Sequence, residues 1–105
     1  MLNGNTIHAV ALHRGEWWVV QCLEYDIATQ ARTLDGLLVE LEQILAGYVT
    51  VGRREGRDLF AEMPKAPKRF WDLYERARTK LEPVEPVPVP YPEAQRPILE
   101  VRAAA

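Results

Sequence analysis

Bulky apolar and β-branched residues concentrate in two short runs, Ile7 to Leu12 and Trp17 to Leu23, divided by His13-Arg14-Gly15-Glu16. These runs predict β-strands, and the glycine between them can adopt the positive φ of a tight turn, so the pair reads as a hairpin. Alternation in the second strand sends Trp17, Val19, Gln21 and Leu23 to one face and Trp18, Val20 and Cys22 to the other. Both faces carry large apolar groups; one is expected to meet a helix and the other to be partly exposed. After Glu24-Tyr25-Asp26 an extended pattern resumes over Ile27 to Ala31 and predicts a third strand.

The period then changes. Leu34, Leu37, Leu38, Leu41, Ile44, Leu45 and Tyr48 recur at the spacing of one helical face, with Asp35, Glu40, Glu42 and Gln43 off it. Thr33 suits the N-cap, where its hydroxyl accepts a free backbone N–H, and Asp35 complements the positive helix end. Gly47 weakens the last turn, and the glycines at 52 and 56 predict that Val49 to Gly56 is the helix end and a loop. Asp58 to Met63 predicts one short turn stopped by Pro64. A second helix is expected from about Pro67 to Leu81, carrying Phe70, Leu73, Tyr74, Ala77 and Leu81 on a stripe and Trp71 just off it. Six prolines between Pro83 and Pro97 exclude helix and central strand and favour extended polyproline conformation. Ile98 to Arg102 alternates like a short strand that adds to a sheet edge of its own chain or of a partner.

The predicted class is therefore α+β: a three- or four-stranded antiparallel sheet in a β-β-β-α core, one amphipathic helix on one face, a second helix, and a proline-rich arm ending in a short strand. Residues 1–82 form the expected domain and residues 83–105 the arm. A chain of 105 residues with 48% hydrophobic and 27% charged residues supports one modest core. No apolar run approaches a membrane span and Met1 to Asn5 has no signal pattern, so a cytoplasmic protein without membrane association is expected. Cys22 is the sole cysteine, which excludes an intrachain disulfide. The net charge of −2 is uneven: −4 over residues 1–49, +3 over residues 50–82 and −1 over residues 83–105.

The run from Trp18 to Leu37, WVVQCLEYDIATQARTLDGL, resembles the HicB family, the antitoxin side of bacterial toxin-antitoxin systems. Pro88-Val89-Pro90-Tyr91-Pro92 followed by Ile98 to Val101 also resembles that family's proline-containing segment and closing strand. The resemblance implies an α/β domain like a reduced ribonuclease H core, and a role in binding and blocking a small basic toxin ribonuclease. After Pro83 there is no room for the ribbon-helix-helix or helix-turn-helix domain of many members, so operator binding is not expected.

Candidate chemistry is sparse. Ribonuclease H-type catalysis needs converging carboxylates around Mg²⁺, but Glu24, Asp26, Glu40 and Glu42 avoid strand centres, and Val10 and Ala11 occupy the middle of the first strand. His8, His13 and Cys22 fit no closed zinc site, and the histidines are an odd number of residues apart, so they point to opposite faces. A strand thiol in apolar surroundings is a poor nucleophile. No catalytic residue, metal or cofactor is expected. Trp17 and Trp18 cannot share one core, which points to core on one side and interface on the other; with Tyr91, Leu99 and Val101 they form the expected partner-binding set. Arg53, Arg54, Arg57, Lys65, Lys68 and Arg69, near Phe60, Phe70 and Trp71, are the candidate nucleic-acid contacts. A homo-oligomer is the alternative expectation, with the arm crossing to a second subunit.

Overall fold

The computed structural model describes residues 6–81 and 96–104. The first strand, β1 (Thr6–Arg14), turns through Gly15 at φ 61° into β2 (Trp17–Cys22). The pairing runs Ala9 to Cys22 through Arg14 to Trp17, so His13 and Arg14 belong to the strand and the turn is only Gly15-Glu16. A third strand, β3 (Ala28–Ala31), pairs antiparallel with β2. Next come α1 (Leu34–Glu55), a 3₁₀ turn at Phe60–Glu62, α2 (Lys68–Arg76), β4 (Thr79–Leu81) and β5 (Ile98–Ala103).

The expected three- or four-stranded antiparallel sheet is a five-stranded mixed one, ordered β3-β2-β1-β5-β4. The closing strand β5 adds to β1 of its own chain, and does so in parallel, with His8 opposite Glu100 and Ala9 opposite Val101. The second helix also stops short of its expected end. Ala77 turns extended at ψ 136°, and Thr79–Leu81 becomes a strand paired antiparallel to β5, with Leu81 opposite Val101. The helical stripe through Ala77 and Leu81 was therefore ambiguous, and the backbone donors and acceptors of β5 decided it.

Alternation on β1 and β2 builds two cores. Ile7, Ala9, Ala11, Val20 and Cys22 join Leu37, Leu41 and Leu45 of α1 on one face, all at 0% exposure. Val10 and Leu23 meet Tyr74 on the other, with Phe70, Trp71 and Leu73 packed around them. The face expected to be partly open is thus covered by α2. Each fully buried leucine contributes roughly 1.5–3 kcal/mol relative to solvent exposure, so the α1 face carries most of the hydrophobic stabilisation.

Thr33 caps α1 as its sequence predicts, its hydroxyl accepting the Gly36 N–H at 3.0 Å. The other end differs. The helix passes through the expected loop to Glu55 and ends at Gly56, φ 68°, where the Gly56 N–H bonds the Arg53 carbonyl and the Arg57 N–H bonds the Gly52 carbonyl. These two bonds form a Schellman ending, which needs the left-handed residue that only Gly56 supplies. Gly52 lies within the helix, and the return of the chain past it leaves room only for glycine: a Cβ there would lie 2.7 Å from the Arg57 carbonyl oxygen.

Glu42, expected off the apolar stripe, is buried on α1. One guanidinium nitrogen of Arg96 donates to both its carboxylate oxygens at 3.0 and 3.1 Å, which ties the approach to β5 onto the helix. Burial raises the Glu42 pKa, and the Arg96 charge pulls it back down. With a raised folded pKa, the native state takes up a proton before the unfolded state as pH falls, so the cost of the buried carboxylate is borne above that pKa and relieved below it. No described helix is long and apolar enough to cross a membrane.

Arg96→Ala is expected to destabilise the fold by about 1–2 kcal/mol at pH 7, a partly exposed charge-assisted pair. The deficit should shrink as pH is lowered and Glu42 protonates. Urea denaturation of both proteins at pH 7 and pH 5 measures it; a deficit independent of pH would assign the effect to packing alone.

Candidate functional site

The residues expected to bind a partner separate into surface and core. Trp17 is half-buried at the start of β2, with the Arg32 guanidinium 4.4 Å from its ring centroid and Glu16 beyond, 3.5 Å from Arg32. Trp18, on the opposite face, packs against the α1 core and stacks on His13 at 4.5 Å. Leu99 packs half-buried against the same core. Val101 is 2% exposed and supports the sheet, so its side chain is core and not contact surface. Tyr91 and most of the proline-rich arm, residues 82–95, lie outside the described residues.

The tryptophans flank the one long-chain feature they share, the β3 edge. Strand β3 pairs with β2 on one side only among the described residues, with Trp18 opposite Ala31. Its exposure alternates, Ala28 and Gln30 outward and Thr29 and Ala31 half-covered. An unpaired edge of this kind offers a row of backbone donors and acceptors to another strand. Beside it lies an open groove of about 580 Å³ lined by Ile27, Ala28, Ile44, Tyr48, Val51 and Leu59.

The basic cluster does not assemble into one strip. Arg53 and Arg54 end α1, whereas Lys68 and Arg69 begin α2, and those helices cover opposite sheet faces. Several of the charges are already engaged. Arg57 pairs with Glu55 and Glu62 at 3.1 and 3.0 Å, and Lys68 pairs with Asp72 at 2.9 Å. Lys65 lies 5.9 Å from the Trp71 ring centroid, and Arg69 lies 4.7 Å from that of Phe70.

A polar cluster on the α2 face had no counterpart in the expected site. The His8 backbone N–H donates to one oxygen of Glu24 at 2.8 Å, and its Nδ1 meets the other. The other ring nitrogen, Nε2, is 3.5 Å from Glu100, and the ring sits edge-on to Tyr74 at 5.5 Å. Arg102 stacks on Tyr74 at 4.3 Å and donates to its carbonyl. The signal was available in principle. A two-residue turn at Gly15-Glu16 fixes the hairpin register and brings residue 24 beside the start of β1.

This cluster ties four pieces of chain together: β1, the segment after β2, α2 and β5. Both His8 nitrogens face carboxylates, and the one thiol, Cys22, is buried in the α1 core on the far side of the sheet. Gln21 likewise spends its amide on structure, donating to Asp26 at 2.8 Å and to the Cys22 carbonyl at 3.1 Å across the loop into β3. His8 and His13 point to opposite faces, and no three His, Cys, Asp or Glu side chains among the described residues are grouped to hold a metal.

Burial, reinforced by the Glu24 carboxylate, pushes the Cys22 thiol up to about 12. At pH 8 this lowers the thiolate fraction roughly a thousand-fold relative to an ordinary thiol. The native protein is therefore expected to react with a chromogenic disulfide reagent at least a hundred-fold more slowly than the urea-unfolded chain, and fast native labelling would overturn the assignment. No protein-family model matches the chain, and no curated protein or solved structure matches it either.

Proposed function

We propose that this chain is a non-enzymatic interaction domain of HicB-like type, which binds a small basic ribonuclease toxin and blocks it in the cytoplasm. The single observation carrying the reading is the open β3 edge, with Trp17 and Arg32 at one end and the apolar groove along its side. Strand addition there would supply main-chain hydrogen bonds, and the tryptophan and groove would supply selectivity through side chains. Support also comes from the resemblance over Trp18 to Leu37, which spans β2, β3 and the start of α1.

The composition of the two sheet faces favours binding over catalysis. Val10 and Ala11, in the middle of β1, are both at 0% exposure, so carbon fills the position where a ribonuclease H-type site needs a metal-binding carboxylate. The acidic first half of the chain suits a basic partner, since opposite charges steer association.

Co-expression with the product of an adjacent gene encoding a short basic protein is expected to give a stable complex in which that protein's ribonuclease activity is lost. Trp17→Ala and Gln30→Pro, each checked for folding by circular dichroism, should weaken the complex at least tenfold. Absence of any complex, or one that neither substitution weakens, would refute the reading.

A further inference from the structure

The outer surface of α1 carries a second pattern, which adjoins the groove beside β3 through Gly47. Glu40, Gly47 and Arg54 are all exposed and stand seven residues apart. Seven residues fall only about 20° short of two full helical turns, so the three form one nearly straight row, each step about 10.5 Å long. Ile44 and Val51 flank that row on the side of the groove, and Val51, at 37%, is one of two large apolar side chains exposed among the described residues.

The row is its own complement. A helix laid antiparallel across it, with a two-fold axis at Gly47, sets Glu40 of one copy against Arg54 of the other, and repeats the pair on the far side of the axis. Neither Glu40 nor Arg54 has an ion-pair partner within its own chain among the described residues. At the axis stands a residue without a side chain. The space a Gly47 Cβ would enter is empty to 4 Å, so nothing in its own fold requires glycine there, although glycine is a poor residue for a helix interior. A close backbone-to-backbone crossing does require it. Ile44 and Val51 of each copy would then cover the other's exposed apolar flank.

We propose that the protein forms a two-fold symmetric dimer through α1, crossing antiparallel at Gly47, with paired Glu40–Arg54 contacts between copies. The occupant of this face is a second copy because the charge pattern reads correctly only against itself reversed. A C2 interface has this isologous character. Contact through this row leaves the main-chain edge of β3 free but covers Ile44, Gly47 and Val51 on the groove wall; the mass of the chain alone, with no toxin present, reads the dimer separately from toxin capture.

Sedimentation equilibrium of the full chain tests it. The wild type is expected at twice the 12.0 kDa chain mass. Glu40→Arg and Arg54→Glu each place like charges together and should raise the dimer dissociation constant at least tenfold, while the double reversal should restore it to within about threefold. Gly47→Gln should yield a monomer without lowering the melting temperature, because its side chain enters open space in a single copy. A wild type that stays monomeric at 0.1 mM overturns the proposal. So does a dimer indifferent to the single reversals, or a double reversal that fails to rescue a folded protein.

Discussion

The parallel pairing of β5 with β1 is the constraint on which the rest of the structure depends. It makes β1 the central strand, hydrogen-bonded on both sides, and so removes it from solvent along both edges as well as both faces. Only then does the sequence of β1 make sense, with Ile7, Ala9 and Ala11 committed to the α1 layer and Val10 to the α2 layer. A hairpin covered by one helix would leave Val10 and Leu23 wet. The late strand also brings Arg102 beneath Tyr74, which helps fix α2 against the second face.

Because those strands and helices arrive from distant parts of the chain, polar ties between them act at long range. Arg96 reaches Glu42 across 54 positions, and Glu24 reaches His8 across 16. Each uses a group that burial alone would penalise, and each is satisfied by partners from another element, the condition under which a desolvated polar group is tolerated. These ties help determine which segments meet; the core on the α1 face of the sheet supplies most of the hydrophobic stabilisation. No buried side-chain nitrogen or oxygen among the described residues lacks a partner.

What could be read from the sequence was local. The hairpin, Thr33 as a cap, the leucine stripe and the assignment of Trp17 and Trp18 to opposite faces all follow from periods of two and 3.6 and from side-chain chemistry within a few residues. What escaped it was non-local. Nothing near Thr79 reveals that β5 will offer it a partner; by contrast the choice between Gly52 and Gly56 as helix end is local, and both glycines fit it until the bonds from Gly56 and Arg57 back to Arg53 and Gly52 are seen. Glu42 looked solvent-facing because its partner, Arg96, lies 54 positions away at the end of the proline-rich segment. The basic residues likewise read as a cluster because they are close in sequence, and the fold then divides them between helices on opposite faces of the sheet.

The same logic separates structure from function here. Nearly every group with chemical potential, including Cys22, His8, Glu24 and Gln21, is engaged within the fold. Among the described residues, the outer backbone edges of β3 and β4 and the exposed Glu40 and Arg54 of α1 have no such engagement. The two surfaces proposed for association differ in what they can select. An edge strand accepts many sequences through main-chain bonds and needs flanking groups such as Trp17 to discriminate, whereas the Glu40-Gly47-Arg54 row specifies its partner by charge order and by the absence of a side chain.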